Sequence, residues 1–168
     1  MKSAEGREVG QIIGDETIAR ELEAFCGLLE REWGEELVSI VLFGSWARGK
    51  ARPESDIDLL IVKKSVPPRR FDRTKVWIRL AERISEDFRC RLSAILLDPE
   101  MAKITKPYYL DMIEAVAILY DRDGFFQGVL DRLRERMREL GTRRVWDEDG
   151  NPYWILKPGS KPGEEIVL

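Results

Sequence analysis

Apolar positions in the first part of the chain follow two different periods. Between residues 15 and 33 they recur every three or four positions, which is the spacing of one face of an amphipathic helix. Asp15, at the start of this pattern, is a suitable N-cap. Residues 37–43 and 57–63 are instead largely apolar and rich in Val, Ile and Leu, which is typical of buried strands. The pattern therefore predicts a helix followed by two strands.

The middle of the chain continues with a helix and a strand. Pro67 and Pro68 interrupt the pattern. Residues 72–88 then carry apolar side chains at four-residue spacing, which predicts a second helix over this whole range. Residues 91–97 form a third apolar run, which we expect to lie as a strand beside residues 57–63. The order helix, strand, strand, helix, strand predicts an α/β fold with a sheet flanked by helices.

The C-terminal part predicts short elements, a long helix and a hairpin. Residues 100–120 suit one or two short helices and end in an apolar stretch, 115–120, that fits either a strand or a helix end. Residues 124–140 predict an amphipathic helix that Gly141 ends at the C′ position. Residues 143–157 predict a β-hairpin with an acidic, glycine-containing turn.

Composition limits the function classes. With 168 residues and 43% hydrophobic side chains, the chain can form one domain with a small appendage. Its net charge of −3 provides no overall basic field for holding long nucleic acid. The absence of histidine disfavours zinc sites and leaves carboxylates as the general bases. No stretch has membrane-spanning length and the start lacks a signal-peptide apolar run, so we expect a cytoplasmic protein without a membrane partner.

The turn after the first predicted strand carries small residues that suit a phosphate. Gly44 tolerates backbone angles that other residues avoid and lets the chain approach a ligand closely. A short helix from Ser45 through Arg48 would direct its free N–H groups and its positive end towards a phosphate. The Ser45 hydroxyl adds a donor, and Arg48 or Lys50 adds positive charge. The turn is therefore a candidate phosphate site.

Two carboxylates stand at the start of the second predicted strand. Because side chains alternate along a strand, Asp56 and Asp58 should share one face, roughly 7 Å apart. Both can then reach one Mg²⁺, or each can bind one of two ions about 4 Å apart. Without a cation the two carboxylates repel, which raises the pKa of at least one. The alternative is an ordinary turn followed by a helix cap or a solvated strand start, and the strands on both sides argue against it.

Residues 43–62 resemble the nucleotidyltransferase superfamily that includes DNA polymerase β, and especially its short, minimal nucleotidyltransferase branch. The matching residues are the phosphate-binding pair Gly44 and Ser45, the metal carboxylates Asp56 and Asp58, and Arg48 with Gly49 of the Ala-Arg-Gly that often follows. The resemblance is specific over residues 40–63 and general elsewhere. It implies a nucleotidyltransferase-like mixed sheet as a core domain, residues 1–122, and a C-terminal helix and hairpin appendage, residues 123–168.

The resemblance also implies an activity and its cofactors. An acceptor hydroxyl would attack the α-phosphorus of ATP or another nucleoside triphosphate and release pyrophosphate, with Mg²⁺ or Mn²⁺ bound by Asp56 and Asp58. Many short members of the family are antitoxins with a small helical partner protein, and some attach AMP to that partner. A protein hydroxyl is therefore the first acceptor considered, an aminoglycoside-type small molecule the second, and an RNA 3′ end the third. The oligomeric state stays open between monomer and homodimer.

The family pattern is incomplete in this chain. Active members usually place a third carboxylate on a later strand beside the metal pair. The corresponding strand here, 91–97, has Ser93 where such an acid would be expected, while Asp98 and Glu100 lie at or beyond its end. Either one of these acids substitutes, or the protein is a non-catalytic module that binds a nucleotide or a partner protein.

Aromatic and basic clusters near the C-terminus have two interpretations. Trp146, Tyr153 and Trp154 could stack a base or form a docking patch, but packing of the hairpin onto the core is the favoured reading, as it is for Tyr108 and Tyr109. The arginines of residues 132–144, and those of residues 69–73, could bind RNA, a partner protein or a phosphate. For them we favour a solvated surface, with interleaved acids forming helix ion pairs along 132–144.

Overall fold

The structure is a computed structural model that describes residues 13–67, 69–161 and 163–168. The side chains that lie outside this description within those ranges are those of Arg70, Phe71, Arg73, Thr74, Trp77 and Ala81. The predicted breaker Pro68, two arginines of the 69–73 cluster and the beginning of the chain therefore fall outside what the structure describes.

The described chain alternates helices and strands as an α/β protein. The strands are β1 (Leu37–Phe43), β2 (Ile57–Lys63), β3 (Leu92–Leu97), β4 (Ala117–Asp121), β5 (Arg143–Trp146) and β6 (Pro152–Ile155). The α-helices are α1 (Glu16–Trp33), α2 (Gly44–Ala47), α3 (Arg70–Ala81), α4 (Glu86–Arg91), α5 (Pro99–Lys103), α6 (Pro107–Glu114) and α7 (Phe125–Leu140). Single 3₁₀ turns, Gly34–Glu36 and Arg122–Gly124, precede β1 and α7.

Four strands form one mixed sheet in the order β3-β2-β1-β4. β1 is antiparallel to both β2 and β4, and β2 is parallel to β3. The C-terminal end of β1 therefore lies beside the N-terminal ends of β2, β3 and β4, and these four strand ends form one edge of the sheet. The register at this edge pairs Phe43 with Asp58, Asp58 with Ser93, and Leu42 with Ala117. The topology thus collects the predicted site residues at a single edge.

Both faces of this sheet are covered, which explains why apolar residues dominate both faces of β1 and β2. One face packs against α1, with Ile40, Leu42, Leu59 and Ile61 pointing into the first core cluster. The opposite face packs against α5, α6 and α7, with Val41, Leu60 and Val62 in the second cluster. Alternate residues of each strand thus supply the two cores, as strand geometry requires. The predicted fold class, a mixed sheet flanked by helices, is confirmed.

Asp121 joins the sheet to α7. Its carboxylate, at the end of β4, accepts hydrogen bonds from the Ser39 hydroxyl at 2.6 Å and from the backbone N–H groups of Phe126 and Gln127 at 2.9 and 3.0 Å. It therefore caps the first turn of α7, whose buried side chains pack onto the second face of the sheet. The division of the chain at residues 122 and 123 into core and appendage stays a prediction.

Most predicted elements match, and one prediction is wrong. The second helix, predicted over 72–88, is two helices, α3 and α4, separated by a short turn. Ser85 causes the second start, because its backbone is extended (φ −62°, ψ 154°) and its hydroxyl accepts a hydrogen bond from the Phe88 N–H at 3.1 Å. Four-residue apolar spacing continued across the break, so periodicity alone did not reveal it.

The C-terminal aromatic residues divide between core and surface. Tyr109 is buried and its hydroxyl donates to the Ala102 carbonyl at 3.1 Å, and Trp154 packs against the second core cluster. Packing onto the core is thus confirmed for these two side chains. It is wrong for Trp146 and Tyr153, which are 63% and 49% exposed at the outer end of the β5–β6 hairpin.

The arginines of α7 behave as a solvated helix face. Arg134, Arg136 and Arg138 form ion pairs with acids three residues away in the same helix. These exposed pairs each contribute little to stability, about 0–1 kcal/mol. None of the helices in the described part of the chain has the length and apolar run needed to cross a bilayer.

Candidate active site

The Gly44 turn lies directly against the Asp58 carboxyl group. Gly44 has a positive φ of +73°, and a Cβ atom there would stand 2.1 Å from Asp58 Oδ2 and 3.0 Å from its Cγ. The positive φ strains any other residue, and even a methyl group would force the Asp58 side chain or the turn to move. The glycine predicted to bring the backbone close to a ligand is therefore in contact with one of the two predicted metal carboxylates.

Asp58 is half-buried at the second position of β2. Burial is the largest influence and raises the pKa of its carboxyl group; the hydrogen bond from the Ser93 hydroxyl opposes this, the charge of Asp56 raises the pKa further, and Arg48 lowers it. The net direction is upward. The carboxylate is thus held in a place where negative charge is unfavourable without a cation. The predicted rise in pKa is present, but burial is its largest cause and the repulsion by Asp56 is a smaller one.

Asp56 is exposed in the loop just before β2. The preceding residue anchors this loop, because the Ser55 carbonyl accepts hydrogen bonds from Trp46 Nε1 at 3.4 Å and from Arg91 Nη2 at 3.1 Å. The Arg91 guanidinium also lies 5.6 Å from the centre of the Trp46 ring. Sequence reasoning missed these anchors because Trp46 and Arg91 are far apart in the chain and meet only in the fold.

Ser45 lies within α2, and Arg48 is the residue that ends this helix. Ser45 is half-buried at the second residue of the helix, and its carbonyl accepts the Lys50 N–H at 2.9 Å. Arg48 is exposed, its N–H donates to the Gly44 carbonyl at 3.2 Å, and its charge reaches Asp58. The structure therefore collects the five predicted site residues at one sheet edge; their roles in binding remain predictions.

The third carboxylate is absent from this edge. Asp98 caps α5 by accepting the Met101 N–H at 2.7 Å, and Glu100 forms an exposed ion pair with Lys103 at 2.7 Å. Ser93 instead stands in register with Asp58 and donates its hydroxyl hydrogen to it. Within the described ranges, no three acidic, cysteine or histidine side chains are grouped closely enough to hold a metal ion.

The donors that are present still fit one hard divalent cation. Asp56 and Asp58 supply carboxylate oxygens, and Mg²⁺ is commonly bound by one or two carboxylates together with water and substrate phosphates. A cation would also offset the burial, and the smaller repulsion by Asp56, that together raise the pKa of Asp58. This arrangement does not resemble a closed all-protein metal cage, so substrate oxygens would complete the coordination.

A phosphate-type turn and a carboxylate pair at one edge of a mixed sheet define a domain suited to phosphorus-group transfer. The chain belongs to the nucleotidyltransferase domain family, whose model matches residues 22–119. The resemblance drawn from residues 43–62 is thereby confirmed, and with it the transferase class. The matched region ends within β4, so α7 and the hairpin lie beyond it.

Two relatives from Methanocaldococcus jannaschii carry the name "Putative protein adenylyltransferase". MJ1305 is 34% identical over 121 residues, which cover 71% of this chain and 82% of that protein. MJ0141 is 34% identical over 80 residues, 48% of this chain and 75% of the relative. Among solved structures, a toxin–antitoxin crystal structure with AMP-PNP is similar with a TM-score of 0.46 and 18% identity, covering 71% of this chain and 92% of the other.

Proposed function

We propose that this protein transfers AMP from ATP to a hydroxyl group of a partner protein in a reaction that requires Mg²⁺. The acceptor oxygen forms a bond to the α-phosphorus and gives its proton to a carboxylate or to water, while the bond from the α-phosphorus to the oxygen that bridges it to the β-phosphate breaks and pyrophosphate leaves. The observation that carries the proposal is the contact of Gly44 with Asp58, because it puts a turn suited to phosphate beside a carboxylate suited to a cation.

Each of the five site residues has a defined role in this proposal. Gly44 and Ser45 bind the β- and γ-phosphates, and Arg48 neutralises their charge. Asp56 and Asp58 would hold the divalent cation, which when bound supplies positive charge to the phosphate oxygens. Catalysis then rests mostly on positioning and electrostatics, and because the chain contains no histidine, carboxylates are left as the general bases.

The names of the relatives support the donor and the acceptor. Both M. jannaschii proteins are named as protein adenylyltransferases, and the chain spans most of the length of each. A protein acceptor also agrees with the net charge of −3, which does not favour a long nucleic acid. An RNA 3′ end and a small-molecule hydroxyl are the competing acceptors.

Transfer of label from ATP tests this function. We expect label on the α-phosphorus of ATP to enter a protein acceptor from a cell lysate with Mg²⁺ present, and no label to enter from the γ-phosphorus, because pyrophosphate leaves. Gel separation before and after protease or ribonuclease treatment identifies the acceptor class. Entry of γ-label would show phosphoryl transfer instead. Label that ribonuclease removes would show that the acceptor is RNA and not a protein.

The non-catalytic binding module is the second candidate, and the position of Ser93 favours it. A hydroxyl stands beside Asp58 where active family members usually have an acid, and neither Asp98 nor Glu100 substitutes. A chain with this arrangement can bind a nucleotide without turning it over. Tight MgATP binding with no entry of α-label would identify this module.

Ser93→Asp tests whether the missing acid matters. Because the new carboxylate would lie in register with Asp58, we expect it to repel the existing pair, so that the melting temperature falls in EDTA and rises more steeply with Mg²⁺ than in the wild type. Thermal denaturation across a Mg²⁺ titration measures this. Ser93→Asn, which adds similar volume without charge, is the matched control, and an equal Mg²⁺ response in both variants would contradict the prediction.

A further inference from the structure

A cavity of about 660 Å³ opens beside the Gly44 turn. Three parts of the chain line it: the segment after α2, the end of α6, and the β5–β6 hairpin. The lining side chains used below are Arg48, Lys50, Asp111, Glu114, Arg144 and Trp154. Its volume lies in the range of pockets that take one mononucleotide-sized ligand.

This cavity lies on the side of the Gly44 turn away from Asp58. The cavity wall includes Ala115, two residues before Ala117, which pairs with Leu42 near the end of β1. Asp58, in contrast, is on β2, which borders β1 on its other side. Arg48 lines the cavity and its charge reaches Asp58, so the two spaces are adjacent. A ligand with phosphates on the turn can therefore extend into the cavity.

The hairpin wall of the cavity is held in place. The Arg144 guanidinium forms an ion pair with Glu114 at the end of α6 and lies 6.0 and 5.9 Å from the ring centres of Trp146 and Trp154. Trp154 also packs against the second core cluster, whereas Trp146 is exposed and outside the cavity. Trp154 is therefore a fixed aromatic surface facing the cavity.

The charges of the cavity favour an anionic ligand. Glu114 is neutralised by Arg144, which leaves Arg48 and Lys50 opposite the single carboxylate of Asp111. Neither Arg48 nor Lys50 has an ion pair with another residue in the described parts of the chain. Positive charge beside an aromatic wall is the combination that holds nucleotides, since the base stacks and the phosphates are neutralised.

We infer that this cavity binds the nucleoside of the donor nucleotide, with its base against Trp154; the inference rests on the proposed function. In-line displacement puts the acceptor hydroxyl opposite the leaving pyrophosphate. Arg48 and the Gly44 turn are assigned to the β- and γ-phosphates, which leave as pyrophosphate. The cavity next to them therefore lies on the side of the leaving group and not on the side of the acceptor. The nucleoside is the part of the two substrates that is left to occupy the cavity. The hairpin beyond the family's matched region thus completes the donor site.

A comparison of the binding of ATP with that of inorganic tripolyphosphate, each with Mg²⁺, separates the contribution of the nucleoside from that of the phosphates. In Trp154→Leu we expect ATP to bind roughly tenfold more weakly and tripolyphosphate to bind as in the wild type. Trp154→Phe keeps an aromatic surface and should stay within about threefold of the wild type for both ligands. Ala115→Phe fills the cavity from the segment between α6 and β4 and should likewise weaken the binding of ATP but not of tripolyphosphate. This second variant keeps the test decisive if Trp154→Leu does not fold.

Trp146→Leu is the matched control, since Trp146 also lies beside Arg144 in the same hairpin but outside the cavity. Its binding of both ligands should equal that of the wild type. Equal ATP binding by wild type, Trp154→Leu and Ala115→Phe would overturn the nucleoside assignment alone. A parallel loss of both ligands in Trp154→Leu would also overturn it, because the cavity would then hold phosphates. A wild type that does not bind MgATP would overturn the proposed function as well.

Discussion

Asp58→Asn should abolish Mg²⁺-dependent ATP binding while leaving the protein at least as stable as the wild type. The amide keeps the size of the side chain and can still hydrogen-bond with Ser93, but it removes one of the two charged oxygen ligands. Loss of a direct ligand should weaken MgATP binding by at least about a hundredfold, since even supporting residues cost ten- to a hundredfold. Calorimetric titration of ATP with and without Mg²⁺ measures the effect.

The stability half of this prediction follows from the direction of the pKa shift. Burial raises the pKa of Asp58 in the folded protein, so its ionised form lowers the free energy of unfolding above that pKa. The penalty disappears as the pH falls through the folded pKa and the carboxyl group takes up a proton. Asp58→Asn lacks the penalty at every pH. Its advantage over the wild type in EDTA should therefore be largest near neutral pH and shrink in acid.

Asp98→Ala provides the opposite pattern as a control. Asp98 caps α5 and takes no part in the site, so this variant should lose about 1 kcal/mol of stability and bind MgATP normally. Chemical denaturation of both variants, run beside the binding titrations, separates the two behaviours. If Asp58→Asn binds MgATP as the wild type does, the metal role assigned to Asp58 is wrong.

Gly44→Ala should lose both stability and nucleotide binding. The alanine Cβ would stand 2.1 Å from Asp58 Oδ2, so the carboxyl group or the turn must move, and the positive φ adds backbone strain. We expect a loss of about 1–3 kcal/mol beyond the backbone term, together with loss of MgATP binding because the turn and the carboxylate separate. Urea denaturation and calorimetric titration measure the two effects.

Gly49→Ala isolates the backbone term. Gly49 has a similar φ of +64°, but a Cβ atom there meets nothing within 4 Å. This variant should lose only roughly 1 kcal/mol and keep its binding. In an Asp58→Ala background, the stability cost of Gly44→Ala should fall most of the way to that of Gly49→Ala, because the clashing carboxyl group is gone and only the Cβ atom of residue 58, at 3.2 Å, remains close. An unchanged cost in that background would show that the contact with Asp58 is not its cause.

The sequence predicted the sheet well because its strands are buried on both sides. The largely apolar segments 37–43 and 57–63 leave little choice of structure, and both strands have the predicted bounds. The second helix was predicted less well, since the cap at Ser85 interrupts an apolar spacing that continues across it. The cap made by the Ser85 hydroxyl group thus started a new helix at a place where the apolar spacing did not change.

For the site, the sequence predicted residue types but not their neighbours. Spacing alone selected Gly44, Asp56 and Asp58, because these residues lie in one short motif. Whether Asp98, Glu100 or Ser93 reaches Asp58 depends on the register of β2 with β3, and side-chain alternation within one strand does not determine that register. The anchoring of the Asp56 loop by Trp46 and Arg91 depends on the same packing.

By itself, the sequence determined most of the elements, the apolar character of the central strands and the motif that marks the family, because each depends on residues close together in the chain. Only the tertiary structure decided which side chain stands beside Asp58 and what surrounds the Gly44 turn. It also decided that Trp154 faces a cavity while Trp146 remains exposed. These outcomes depend on strand register and on how distant segments pack, and both are set by the whole core.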